Sequence, residues 1–213
     1  MPLPLAPNAL TTLDDVKNLL GMDSSDVDEQ RDTVLTMLIN GVSSWIERLI
    51  GRKLGKDTYV HQLDAQGRQE LILLQWPILS VDYARDTSEN KVIPPDSYSF
   101  NMQGDIGILY RDKGWPFRAY RSGLAYDVHN IKRVIEVKYT AGYVLPKDAT
   151  EEEPATLPCD LQMVVWGAIM QEFALMQNGA QGLKAFSISD VSWTFDKEPR
   201  QEWLTTIGLY ARL

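Results

Sequence analysis

The stretch from residue 29 to residue 50 constrains the fold more than any other part of the chain. Leu35, Leu38, Ile39, Val42, Trp45, Ile46, Leu49 and Ile50 recur at steps of three, four and one, the spacing of one helix face. Gln30, Glu47 and Arg48 fall off that stripe or at its edge. Gly51 stops the helix, and Arg52 and Lys53 suit the negative end of its dipole. A helix with an apolar stripe on one side needs a partner surface. Two segments offer one. Thr12 reads as an N-cap, with Asp15 three residues on and Leu13, Val16, Leu19 and Leu20 on one face before Gly21 ends the turn. Pro158 fits the first position of another helix, with Asp160 in its first turn. Its stripe runs through Leu161, Val164, Val165, Ala168, Ile169, Glu172, Leu175 and Met176, and Asn178-Gly179 ends it. Ser24, Ser25, Asp26 and Asp28 all qualify as caps for the long helix.

Between about residues 57 and 143 the period changes to two. Tyr59, His61 and Leu63 alternate with polar residues, and Leu71–Trp76 and Ile78–Tyr83 read as strands on either side of Pro77. Tyr98 and Phe100 alternate, Ile106–Tyr110 follows, and Arg133, Ile135, Val137 and Tyr139 line one face of a last strand. Turn clusters separate these runs, as in Asp64–Gly67, Thr87–Asn90, Pro94–Asp96, Asn101–Asp105 and Lys113–Pro116. Residues 146–157 form an acidic linker. Residues 185–195 alternate as a hairpin, and Pro199 opens a short helix with Trp203, Leu204, Ile207 and Tyr210 on its apolar side. The expected class is therefore α+β: a small helical bundle (helices near 12–20, 29–50 and 158–178) with an inserted antiparallel β unit and a short C-terminal helix. The expected division is 1–56 with 144–184 as bundle core, 57–143 as inserted β domain, and 185–213 as hairpin and terminal helix.

Charge narrows the function. The formal net charge is −8, so a surface that grips phosphates is disfavoured, whereas an acidic wall lets DNA slide past. The single cysteine, Cys159, allows no internal disulfide. The first eight residues lack the basic start and apolar run of a signal peptide, and no stretch approaches the ~18 apolar residues of a membrane span. The expected site of synthesis is the cytoplasm.

Catalytic chemistry is sparse. Two histidines, His61 and His129, and one cysteine give no zinc spacing, and there is no G-x-S-x-G elbow. Gly179, Gly182 and Lys184 imitate a phosphate loop at the wrong spacing and on the wrong side of a helix; a cap and turn explain them better. Cys159 near a helix start reads as an ordinary small, half-buried residue, and His61 as a packed or rim side chain. Asp14/Asp15 and Glu151–Glu153 read as solvated helix-start and linker charges. No catalytic residue, metal ligand or cofactor site is expected. Trp115 reads as a core anchor, and Trp203 as an interface anchor, because a short terminal helix needs a partner to persist.

Six phrases stand in a telling order: Leu13-Asp14-Asp15-Val16-Lys17-Asn18-Leu19-Leu20; Leu38-Ile39-Asn40-Gly41-Val42 through Trp45-Ile46-Glu47 to Gly51-Arg52-Lys53-Leu54; Leu73-Leu74-Gln75-Trp76-Pro77-Ile78-Leu79-Ser80-Val81; Asp96-Ser97-Tyr98-Ser99-Phe100 followed by Gly114-Trp115-Pro116; Val137-Lys138-Tyr139-Thr140-Ala141-Gly142-Tyr143; and Leu157-Pro158-Cys159-Asp160-Leu161. The ordered set resembles the head–tail connector (adaptor) family of tailed bacteriophages, in the long form with a β insertion that gene-transfer-agent adaptors share. It covers roughly residues 10–178. The resemblance implies a structural protein, not an enzyme: a dodecameric ring in the virion neck, assembled in the host cytoplasm, with the portal protein above, a stopper or tail-completion protein below, and DNA passing through the channel without specific binding. Related adaptors extend a C-terminal segment onto the portal; in this chain residues 199–213 are expected to dock there, with Trp203, Leu204, Ile207 and Tyr210 as anchors. The alternative is a DNA-packaging accessory that binds DNA or the terminase, for which Arg111, Arg118, Arg121, Lys132 and Arg133 form the basic cluster.

Overall fold

Local rules set the helix limits. In the computed structural model, which describes residues 3–23, 25, 27–65, 67–100, 107–116, 119–121, 128–130, 133–177, 185–188, 191–194 and 200–211, helix α1 spans Leu13–Leu19. The Thr12 hydroxyl accepts the Asp15 amide at 3.1 Å, and Gly21 takes the left-handed φ of 69° that ends the turn. Helix α2 spans Glu29–Ile50. Of the four possible caps, Asp28 does the capping, accepting the amides of Gln30 and Arg31 at 3.1 Å each. Gly51 closes α2 at φ 74°.

The chain divides into two compact units, Met1–Leu54 with Val144–Leu213, and Gly55–Tyr143. The first holds α1, α2, a third helix α3 and a fourth helix α4, described below. Its core joins Val16 of α1, Leu35, Ile39, Ile46 and Ile50 of α2, and Leu161, Val165 and Ile169, each at most 1% exposed. Trp45 and Leu49, counted with that stripe in the sequence, sit at its margin: Trp45 is half-buried and Leu49 exposed. The N-terminal arm is fixed rather than loose. Ala9 and Leu10 are fully buried, and the arm hangs on the polar side of α2. The Asn40 carboxamide accepts the Ala6 amide at 2.7 Å, Ser43 Oγ accepts the Leu10 amide at 3.0 Å, and Asn8 Nδ2 donates to Glu47 Oε2 at 2.9 Å. Lys17 of α1 and Asp32 of α2 form a buried ion pair at 2.8 Å.

The second unit is built of β1 (Asp57–Leu63), β2 (Glu70–Ile72), β3 (Ile78–Asp86), β4 (Lys91–Ile93), β5 (Ser99–Phe100), β6 (Ile108–Tyr110), β7 (Ala119–Arg121), β8 (Val128–Asn130) and β9 (Ile135–Ala141). The main sheet has the order β1-β9-β3-β4 and is antiparallel throughout. A second sheet has the order β2-β6-β5, and β7 pairs with β8. Ile135, Val137, Tyr139 and Ala141 of the central β9 are fully buried, the period-two face the sequence shows. Two readings need correcting. The Leu71–Trp76 strand stops at Ile72, because the chain turns there: the Gln75 amide donates to the Tyr139 hydroxyl at 3.1 Å and Trp76–Pro77 is cis. Arg133 does not continue the face of β9; it is exposed, at φ 56°, with its amide on Asp64 Oδ1 at 2.5 Å.

On the other face of β9, Glu136 is nearly covered. Its carboxylate accepts the Tyr83 hydroxyl at 3.0 Å and Gln62 Nε2 at 3.4 Å, and it pairs with Arg85. The hydrogen bond from Tyr83, then that from Gln62, and further the Arg85 contacts hold its pKa below the ordinary carboxylate value, while the same Tyr83 bond raises the tyrosine. A depressed folded-state pKa stabilises above the unfolded carboxylate value of about 4.3, and the gain is lost as pH falls through the lower folded value. Glu136→Gln is therefore expected to lose less stability on acidification from about pH 5 downward. Urea denaturation at stepped pH checks this; parallel curves for the two chains contradict it.

Candidate docking surface

Helix α3 spans Cys159–Gln177, β10 spans Ala185–Ile188, β11 spans Val191–Thr194 and α4 spans Gln201–Leu209. Pro158 is the residue just before α3, its carbonyl accepting the Gln162 amide at 3.0 Å. Strands β10 and β11 pair antiparallel. Pro199, Asn178, Gly179, Gly182 and Lys184 lie outside the described residues.

Helix α4 finds its partner within its own unit. A Cβ placed on Gly167 of α3 would come within 2.8 Å of the Trp203 ring, so Gly167 is the notch that seats this tryptophan. Ile207 is 2% exposed, and Leu204 is half-buried. The Tyr210 hydroxyl donates to Asp160 Oδ1 at 2.7 Å, and Arg52 Nε donates to the Tyr210 carbonyl at 3.2 Å. The Arg200 guanidinium stands 5.4 Å from the Trp203 ring centre. Trp203, Leu204 and Ile207 of α4 and its C-cap Tyr210 thus lie together on the bundle side; the outer side of α4 carries Glu202, Thr205 and Leu209, the last 77% exposed.

Beside Trp203 lies an open groove of about 340 Å³, walled by Met37, Gly41 and Trp45 of α2 and Ala168 and Glu172 of α3. Glu172 is the one charged group among its nine lining residues. Another side of α3 exposes Met163 (69%), Met170 (38%) and Ala174. Asp160 and Glu172 are the only ionisable side chains on α3 apart from Cys159, and apolar residues occur all round it. Such a helix normally ends up covered on every side. The signal was present in the sequence, but a search for a single 3.6-period stripe selects one face and passes over the other.

The basic cluster is dispersed. Arg111 Nη1 donates to the Gly114 carbonyl at 2.9 Å, Arg133 adjoins Asp64, and Arg121 is the last residue of β7. Arg118 and Lys132 lie outside the described residues. Trp115 is 2% exposed in the β core, its indole N–H shared between the carbonyls of Gln69 (3.0 Å) and Leu109 (3.2 Å). His61 is half-buried, with Nδ1 3.0 Å from the Tyr139 hydroxyl. Cys159 is exposed rather than half-buried, because the first turn of α3 leaves it outside the core. Among the described residues no group of His, Cys, Asp and Glu is placed to hold a metal, and no helix is long and apolar enough to cross a membrane.

Residues 9–156 match the family model described as head completion protein. No curated protein matches the sequence. Among solved structures, a chain from "Virion of native gene transfer agent (GTA) particle" aligns with a TM-score of 0.55 and 13% identity over 100% of this chain and 95% of that one. A chain from "Neck of empty GTA particle computed with C6 symmetry" gives 0.54 at 12% identity, over 100% and 95%. A chain from "Neck of native GTA particle computed with C12 symmetry" gives 0.53 at 12% identity, over 100% and 94%.

Proposed function

Because the chain belongs to the head completion protein family, we propose that it is a structural, non-catalytic subunit of the neck that joins head to tail in a phage-like particle. One observation carries this reading: end to end, the fold matches chains from a gene-transfer-agent virion and its neck. The six-fold and twelve-fold symmetries of those necks support a ring, and we take a dodecamer as its form. The ring sits below the portal protein and above a stopper or tail-completion protein, and DNA passes through it without specific binding. A net charge of −8 suits a wall that releases DNA. Assembly takes place in the host cytoplasm, and the mature location is the virion.

Residues 199–213 are the portal-docking segment in this reading. For Trp203, Leu204, Ile207 and Tyr210 to reach the portal, α4 must leave α3. The ties that break are the Gly167 seat, the Tyr210–Asp160 bond and the Arg52–Tyr210 bond. Deleting 199–213 is expected to abolish co-purification with the portal protein. The deletion also removes the buried Ile207, so far-ultraviolet circular dichroism of the truncated chain is the control. Retained helix with lost portal binding is the expected result; undiminished portal binding refutes the docking role.

A further inference from the structure

The face of α4 that the portal would take is the face that α3 already holds. Trp203 sits against Gly167, Ile207 is 2% exposed, the Tyr210 hydroxyl donates to Asp160 Oδ1 at 2.7 Å, and Arg52 Nε donates to the Tyr210 carbonyl at 3.2 Å. We propose that this packing is an autoinhibitory latch: in the free subunit α3 occupies the docking face of α4, and α4 binds the portal only after it leaves the Gly167 seat. This rests on the portal-docking reading above and assigns that site its regulation.

Three observations carry the latch. The first is exclusivity. Of the large apolar residues of α4, Trp203, Leu204 and Ile207 face the bundle and Leu209 faces outward beside Glu202 and Thr205. One face cannot serve two partners at once. The second is the build of the seat. Gly167 stands inside a 19-residue helix, where glycine is a poor helix former. A Cβ there would come within 2.8 Å of the Trp203 ring, so this glycine serves the contact with α4 rather than α3 itself. The third is that the seat is shallow and α4 is short. Ile207 is the one buried residue of α4; Trp203, Leu204 and Tyr210 are half-buried, and the Tyr210–Asp160 bond lies at the surface. Elements held by few buried side chains open at the low end of a protein's stability. A helix of nine residues is also below the ~12–15 that persist alone in water, so α4 stays helical only against a partner. In the free subunit that partner is α3, and the portal takes its place. The effect on binding follows from populations: with about one subunit in a hundred open, apparent portal affinity is about a hundredfold below that of the open form.

The test measures binding of full-length chains to the purified portal protein, with hydrogen exchange read by mass spectrometry as the report on α4. Gly167→Ala fills the seat, leaves 199–213 untouched and favours the helix of α3. Expected are faster exchange in 201–209, unchanged exchange in 29–50, and an apparent Kd for the portal lower by about tenfold or more, as the closed form gives way. Faster exchange in α4 with equal or weaker portal binding overturns the latch. So does unchanged exchange in 201–209, which would leave Gly167 no part in holding α4. Should exchange in 29–50 rise as well, Asp160→Ala is read instead: it takes the acceptor from the Tyr210 hydroxyl at the exposed start of α3. It is expected to tighten portal binding about threefold, and no tightening overturns the latch. The 199–213 deletion separates the two levels. Binding that survives the deletion overturns the docking reading and the latch together; binding that it abolishes, while the opened variants bind no tighter, overturns the latch alone.

Discussion

Lys17→Met is expected to lower the unfolding free energy by about 3–5 kcal/mol, the usual cost of stranding one member of a buried ion pair. Lys17 is 3% exposed, and its ammonium lies 2.8 Å from Asp32 Oδ2. Methionine keeps most of the stem and removes the charge; Arg31 Nε, 3.9 Å from Asp32 Oδ1, is then the cation left beside the carboxylate, too far for a hydrogen bond. The double replacement Lys17→Met with Asp32→Leu should recover most of the loss, because the buried carboxylate leaves together with its partner, and Arg31, the more exposed cation of the group, keeps its access to water. Chemical denaturation of the four chains of this cycle measures the coupling. If the single and double variants are equally unstable, packing of the lysine stem, not the ion pair, joins α1 to α2.

The second large effect belongs to the β unit. Trp115→Ala is expected to cost about 3–5 kcal/mol, as for other large-to-small changes in a closed core. The indole packs with Tyr98, ring centres 5.7 Å apart, and its N–H serves two carbonyls that would lose that donor. The backbone offers little room to collapse into the void. The Trp115 amide is bonded to the Arg68 carbonyl at 2.8 Å. Gly114 has φ 72°, and a Cβ there would stand 2.7 Å from the Gly67 carbonyl oxygen. Trp115→Phe keeps the ring and drops the donor, so it should recover more than half of the loss. Thermal and urea unfolding of the three chains check the order.

What the sequence makes legible follows from periodicity. The buried side of α2 and the inner face of β9 repeat without interruption, and the structure buries both. Caps that rest on one side chain and one amide, such as Thr12 and Gly51, are equally readable. Contacts between distant segments are not. Ala9, Leu10 and Thr11 have no period, yet Asn40, Ser43 and Glu47 of α2 hold the arm that contains them. The strand that stops at Ile72 looks apolar through Trp76, since composition does not show that Gln75 caps the Tyr139 hydroxyl. The docking surface divides in the same way. Trp203 and its neighbours are visible as a stripe, but their seat in a glycine notch on α3 is not.

In the proposed role this chain is a built-in part of the neck. Cryo-electron microscopy of the particle neck, reconstructed with and without imposed twelve-fold symmetry, is the decisive measurement. The expected density is a closed ring directly beneath the portal that accepts α1, α2 and α3 of this chain, one copy per symmetry unit. A neck reconstructed to side-chain detail in which every ring is filled by other polypeptides would contradict it.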